Sequence, residues 1–201
     1  MNEPAKLVRS APRLGSRFDE ALVFTAQKHS GQSRKQSNVP YLTHPLSVAA
    51  LVLEAGGDED QAIAALLHDV VEDCGGAPVL EEIRQRFGER VAGIVDACSD
   101  TDEEPKPPWR ARKERYLGHL REAGEDVRLV SVADKLHNVR SIVADYREIG
   151  DAVWERFTGR REGSLWYYRA LLDIFLQGRR NRLVDELERN VLELERMVNA
   201  G

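Results

Sequence analysis

Within the run Ala65-Leu66-Leu67-His68-Asp69-Val70-Val71-Glu72-Asp73, four polar side chains interrupt an otherwise apolar stretch. Read as one helix, His68, Asp69, Glu72 and Asp73 fall at roughly 0°, 100°, 40° and 140° on the wheel and share a face. Ile63, Leu66, Leu67, Val70 and Val71 cover most of the remainder. Carboxylates among such neighbours are costly to bury unless a cation or hydrogen bonds compensate them. A His-Asp pair followed one turn later by Glu-Asp therefore reads as a metal site with acid/base groups beside it.

Two residues elsewhere complete a donor set. His44 stands at a helix entrance between Thr43 and Pro45, and Asp134 arrives at the end of the apolar run Leu129-Val130-Ser131-Val132-Ala133. The bland alternative makes each separately a cap, a surface group or a satisfied core polar residue; for His44 alone that alternative wins, for the four together it does not. Two imidazoles and two carboxylates suit Mn²⁺ or Fe²⁺, can hold Zn²⁺, and suit Mg²⁺ or Ca²⁺ less. Four protein ligands leave room on a six-coordinate ion for water or a phosphate oxygen. Glu72 and Asp73 are then close enough to act on a proton.

The elements that must position these groups all read as helices. Helical spacing covers Arg17–His29 with Ser16 as the expected N-cap, then Leu46–Ala55 with Pro45 in its first turn. Asp58 is placed to cap a third helix running unbroken to about Asp73, closed by Gly75-Gly76. Further helices are expected from Pro78 to Phe87, from beyond Gly88 to Ser99, from Trp109 to Ala123 and from Asp126 to Tyr146. The last two span Gly163–Leu176 and Asn181–Asn199. The stripe Leu183, Leu187, Val191, Leu194, Val198 is expected to pack on its own domain, with a homodimer seam as the minor alternative. Asp100–Pro108 is a charged, proline-rich break and the expected mobile loop. With no strand pattern and no repeat, the fold class is all-α.

At 201 residues the chain is sized for one domain, and a net charge of −5 argues against generic affinity for nucleic acid or an anionic membrane. An anionic substrate stays open, because a metal and a few local cations reverse the field inside a pocket. Cys74 and Cys98 form no CxxC and suggest no disulfide framework, which fits a reducing cytoplasm. The N-terminus lacks the apolar stretch of a targeting signal, and no run is long enough for a membrane span.

Four flanked blocks occur in order: Gly31-Gln32-Ser33-Arg34-Lys35, Pro40-Tyr41-Leu42-Thr43-His44-Pro45, His68-Asp69-Val70-Val71-Glu72-Asp73, and Ala133-Asp134-Lys135-Leu136-His137-Asn138. This set resembles the HD phosphohydrolase superfamily and, with its flanks, the hydrolase domain of RelA/SpoT-type enzymes. The match spans about Phe18 to Arg140 and extends more weakly to about Leu176. The resemblance implies a single-domain HD-type helical bundle over residues 16–201, preceded by a flexible segment, 1–15. It implies a stand-alone small alarmone hydrolase that removes pyrophosphate from the 3′ position of guanosine tetra- and pentaphosphate, with Mn²⁺ as the usual metal. By the same resemblance His44, His68, Asp69 and Asp134 are the metal ligands. Glu72 and Asp73 handle the attacking water and the leaving group. Arg34 stacks on guanine, Lys35 contacts substrate beside it, and Asn138 contacts the ribose side. Without the family match, Arg34-Lys35 reads as a solvated loop pair and Asn138 as a helix-surface amide.

Arg110 and Lys113, three residues apart, either meet the 5′ phosphates from one helix face or are merely solvated. His137 is a candidate neighbour of the metal ligands, His29 is expected to be structural and His119 exposed. Trp166, Tyr167 and Tyr168 are expected to pack in the core, with a pocket wall as the alternative. Two rival functions share the scaffold. One is HD-type hydrolysis of another nucleotide, such as ppApp, NADPH or a nucleoside monophosphate; the other is non-enzymatic alarmone binding.

Overall fold

Beyond its polar first turn, the central helix has no polar side. In the computed structural model, which describes residues 13–35, 38–100 and 105–200, Ala62 to Leu67 are all buried in the helix Glu59–Leu67. A helix apolar all round belongs in the middle of a bundle, and its three alanines let neighbouring backbones approach.

Around this helix, α3, the described chain forms α1 (Ser16–Lys28), α2 (Thr43–Glu54), α4 (Val70–Cys74), α5 (Gly76–Phe87) and α6 (Glu89–Cys98). The C-terminal half forms α7 (Trp109–Glu122), α8 (Glu125–Ile149), a 3₁₀ segment (Gly150–Arg156), α9 (Arg160–Leu176) and α10 (Arg182–Ala200). α1, α2, α6 and α8 pack directly on α3. Among the described residues the only strand-like feature is an isolated antiparallel bridge between Ser33 and Pro40. One continuous apolar core runs from Ala21 to Val198. The expected all-α, single-domain bundle is thus borne out.

Several local expectations are corrected. The third helix is not continuous to Asp73. It ends at Leu67, and Asp69 (φ −98°, ψ −7°) starts the separate short helix α4. Asp69 makes no capping bond there, because its carboxylate is drawn sideways to His68 and Tyr41. α1 is capped by Gly15 rather than Ser16, which is its first helical residue. α2 starts at Thr43, so His44 lies inside its first turn. Asn181 is the cap of α10, accepting the Leu183 and Val184 N–H groups at 2.9 and 3.0 Å. The 3₁₀ segment was not anticipated. The flexible segment expected over 1–15 lies outside the described residues up to residue 12, and so do residues 101–104 of the expected mobile loop.

The α4–α5 corner depends on glycine. Gly75 has φ +137°, and a Cβ there would sit 2.8 Å from Val79 Cγ2. This reversal ends α4 directly after Glu72-Asp73 and so fixes the rim of the site. The stripe on α10 is spent inside the chain: Leu183, Leu187, Val191, Leu194 and Val198 are all buried, and α10 packs on α8 and α9.

Asp58 caps α3 with a reciprocal capping box, its carboxylate accepting from Gln61 N–H at 3.0 Å while Gln61 Oε1 accepts from Asp58 N–H at 2.8 Å. Asp58→Ala is expected to cost about 1 kcal/mol, the usual worth of an N-cap. Asp58→Asn keeps a capping oxygen and should lose only the exposed pair with Arg90. Urea midpoints check this order; equal losses would mean that the ion pair, not the cap, matters.

Candidate active site

Three separate parts of the bundle bring three candidate donors together, with a fourth against the two imidazoles. α2 supplies His44, the α3–α4 break supplies His68 and Asp69, and the middle of α8 supplies Asp134. One donor atom each from His44, His68 and Asp134 lies within 4.8 Å of the others, and all three residues are buried. His44 Nε2 is 3.2 Å from His68 Nε2 and 3.2 Å from Asp134 Oδ1. Asp69 Oδ2 is 3.1 Å from His68 Nε2 and 3.4 Å from His44 Nε2.

These spacings fit a divalent ion. Donors about 2.1 Å from a common centre lie about 3.0 Å apart in octahedral and about 3.4 Å apart in tetrahedral arrangement. Mixed nitrogen and oxygen donors, two of them anionic, are a hard-to-borderline set.

The electrostatics point the same way. Burial opposes charge on His68, yet Asp69 and Asp134 hold its imidazole well above the ordinary value. Burial likewise opposes ionisation of the two carboxylates, but His68 and His44 keep Asp69 well below the carboxylate range. Lys135 and the same imidazoles do so for Asp134. Two buried anions thus recruit a proton where a cation would serve.

A ring of hydrogen bonds orients the donors. His68 Nδ1–H donates to the Ala65 carbonyl at 2.8 Å, leaving Nε2 for the centre. His44 Nδ1 is 2.7 Å from His137 Nδ1. Burial and the nearby His44 and Arg34 push His137 down to about 4, so at neutral pH its ring is uncharged. Lys135 Nζ donates to Asp134 Oδ2 at 2.6 Å and Asn138 Nδ2 to Asp134 Oδ1 at 2.5 Å. The Tyr41 hydroxyl donates to Asp69 Oδ2 at 2.5 Å.

Sequence reading missed Tyr41 and Lys135. Each lies inside an identified block, but neither residue type signals a role; only the fold aims Tyr41 at Asp69. Tyr41→Phe is expected to weaken divalent-metal binding about 10–100-fold while leaving the fold intact, as for partners of metal ligands generally. Titration of Mn²⁺ against the two proteins checks this, and identical affinities would remove Tyr41 from the ligand support. His29, expected to be structural, is buried with its ring 4.8 Å from that of Tyr41 and its Nδ1 2.8 Å from Gln32 Oε1.

Glu72 and Asp73 project from α4 into a groove of about 470 Å³ that Gly75, Pro78 and Lys106 also line. Lys106 Nζ lies 3.1 Å from Glu72 Oε1. Asp73 is reached by solvent, yet partial desolvation and the carboxylates of Asp69 and Glu72 push it up to about 6.

The other predicted contacts are placed unevenly. Arg34 is half-buried and donates to Asn138 Oδ1 at 2.9 Å, which ties both residues to Asp134. Lys35 is exposed beside it. Arg110 is exposed, paired with Glu114 at 2.7 Å and laid over the Trp166 ring at 3.2 Å. Lys113 is paired with Asp100 at 2.8 Å and sits over Tyr167. Burial and the nearby Lys135 lower its pKa. Tyr167 and Tyr168 are buried in the core, as expected. His119 is exposed.

Among the described residues, no helix is long and apolar enough to cross a membrane. A family model described as "HD domain" matches residues 21–165. A relative from Xenopus tropicalis, named guanosine-3′,5′-bis(diphosphate) 3′-pyrophosphohydrolase MESH1, is 40% identical over 126 residues, covering 61% of this chain and 68% of its own. An Aquifex aeolicus protein named guanosine-3′,5′-bis(diphosphate) 3′-pyrophosphohydrolase is 37% identical over 140 residues, covering 68% of this chain but 19% of its own. A solved structure described as a metazoan ortholog of SpoT that hydrolyzes ppGpp superposes with a TM-score of 0.77 at 27% identity, covering 94% of this chain and 99% of that one. The chain belongs to the HD-domain family, and within it resembles the proteins named guanosine-3′,5′-bis(diphosphate) 3′-pyrophosphohydrolase.

Proposed function

We propose that the protein hydrolyses the 3′-pyrophosphate of (p)ppGpp, giving GDP or GTP and pyrophosphate. The observation that carries this reading is the buried His44–His68–Asp134 cluster, with the half-buried Asp69 against both imidazoles and Glu72 and Asp73 beside it, in a chain similar to enzymes named for that reaction.

His44, His68, Asp69 and Asp134 are the residues that would hold a divalent ion, which we take to be Mn²⁺, with Fe²⁺ or Zn²⁺ as substitutes. When bound, such an ion offsets phosphate charge and makes water a better nucleophile at neutral pH. Asp73 takes the proton of the attacking water; without a metal, partial desolvation and the carboxylates of Asp69 and Glu72 raise it to about 6. The water oxygen joins the phosphorus next to the ribose, the P–O3′ bond breaks, and the 3′ oxygen leaves with a proton. Glu72 orients water and leaving group from the next position on α4. Arg34 stacks on the base, Lys35 and Asn138 contact the nucleotide beside it, and Lys113 with Arg110 meets the 5′ phosphates.

We further propose residues 16–201 as the hydrolase domain, with a small-molecule nucleotide as its ligand and the cytoplasm as its compartment. The α10 stripe is already used within the chain, so a homodimer would form through a different face.

Incubation with Mn²⁺ and, separately, ppGpp, pppGpp and ppApp, followed by anion-exchange analysis, tests the reaction. GDP or GTP appearing with pyrophosphate is expected. Release of orthophosphate instead, or turnover of ppApp alone, would replace this reading with another HD-type hydrolysis. Binding without turnover would make the protein an alarmone-binding module.

A further inference from the structure

We infer that Arg34 is a positioning residue for the metal centre as well as a contact for the base, acting on Asp134 through Asn138. Arg34 Nη2 donates to Asn138 Oδ1 at 2.9 Å, and Asn138 Nδ2 donates to Asp134 Oδ1 at 2.5 Å. That oxygen is the one facing the imidazoles, 3.2 Å from His44 Nε2 and 3.8 Å from His68 Nε2. A guanidinium at one end of a donor–acceptor chain polarises the amide, which strengthens the amide's own donation to the carboxylate.

Without that bond the Asn138 amide is held only by its own contact with Asp134, on a last torsion whose wells are broad. Asp134 Oδ1 would then face the ion without a fixed second partner. Lys135 cannot substitute, because it engages the other oxygen, Oδ2.

The loop bearing Arg34 is anchored for this task. Its backbone pairs across the Ser33–Pro40 bridge, with Arg34 N–H donating to the Val39 carbonyl at 2.9 Å and Tyr41 N–H to the Gln32 carbonyl at 2.9 Å. The same loop therefore reaches Asp134 through Arg34 and Asn138, and Asp69 through the Tyr41 hydroxyl. It supports both anionic donors at once.

Base contact and metal support are compatible on one side chain. A guanidinium stacks through its face and donates hydrogen bonds from its edge. A base laid on Arg34 leaves the N–H toward Asn138 in place, and holding Arg34 still would tighten the grip on Asp134. By linkage, the metal then favours base binding by the same factor.

The inference rests on the ligand assignment proposed above, and its test needs no substrate. Nucleotide-free protein is titrated with Mn²⁺, and free ion is followed by its electron paramagnetic resonance signal. Wild type is compared with Arg34→Ala, Asn138→Ala and the double variant. Asn138→Ala is expected to weaken binding about 10–100-fold, as for direct partners of ligands. Arg34→Ala should weaken it at least about threefold, an effect passed through that partner. The double variant should be no weaker than Asn138→Ala alone, since the two act in series.

A purely base-binding arginine would leave Mn²⁺ affinity unchanged in Arg34→Ala. That result, or losses that simply multiply in the double variant, would overturn the relay while the ligand assignment stands. Failure of the wild-type protein to take up Mn²⁺ would instead remove the ligand assignment, and the relay with it. If Arg34→Ala does not fold, Arg34→Gln provides the same comparison.

Discussion

His68→Ala is expected to cost the protein its divalent ion and to lower kcat/KM on ppGpp by about 10³-fold or more. The magnitude follows from the several kcal/mol of charge stabilisation that a bound cation supplies, with each 1.36 kcal/mol worth about tenfold. His68 is fully buried, its Nδ1 is committed to the Ala65 carbonyl, and its Nε2 lies 3.1–3.8 Å from three other donors. Metal content by elemental analysis, alongside steady-state rates, checks both parts. Unchanged stoichiometry would remove His68 from the ligand set.

A pH dependence accompanies this. Despite burial, the flanking carboxylates hold the metal-free His68 imidazole well above its usual value, so near neutral pH its Nε2 carries a proton. An incoming cation must displace that proton. Mn²⁺ affinity should therefore fall as pH drops, and binding should release protons. Calorimetry in buffers of different ionisation enthalpy reads that release; a heat independent of buffer would contradict it.

Asp73→Asn is expected to lower kcat by about 10²–10⁴-fold, the range for loss of a general base, with metal content unchanged. The substitution is close to isosteric and lies on the rim of the groove rather than among the four donors. Its effect should thus separate cleanly from that of His68→Ala. The base must be ionised to act, so wild-type activity should fall with decreasing pH through the Asp73 pKa. Partial desolvation and two neighbouring carboxylates set that value at about 6 without a metal, and a nearby cation would draw it lower. With Mn²⁺ kept saturating, so that proton competition for the metal site is removed, the acid limb should vanish in Asp73→Asn. A variant that keeps both rate and acid limb would show that another group takes the proton, and Glu72 would be the next to replace.

Much of the bundle is written in local pattern. Asp58 announces the start of α3 because an aspartate can satisfy its orphan N–H groups, and it does so with Gln61. The α10 stripe announces its own burial through helical spacing. The donors were legible for a similar reason: imidazoles and carboxylates inside apolar runs are too costly to be incidental.

The limits lie where long-range contacts outweigh local preference. Seen as sequence, Asp58 to Asp73 is one helix, and the shared face of His68, Asp69, Glu72 and Asp73 follows from its regular turn. In the fold that helix breaks at His68–Asp69, because the carboxylate of Asp69 is engaged by residues far away in the chain, Tyr41 and His44. The wheel angles therefore do not carry across the break. The same holds for Arg34, whose partner Asn138 is 104 residues distant, and for Lys106, met by Glu72 only across the groove.

By itself the sequence determined the all-α class, the helix that anchors the core and the candidate donors, since these depend on side-chain type and on spacing within a few turns. The tertiary structure alone decided where α3 breaks, which oxygen of each carboxylate faces the imidazoles, and which distant residues hold them there. Such choices depend on hydrogen bonds between segments brought together only when the bundle closes, and no local periodicity encodes them.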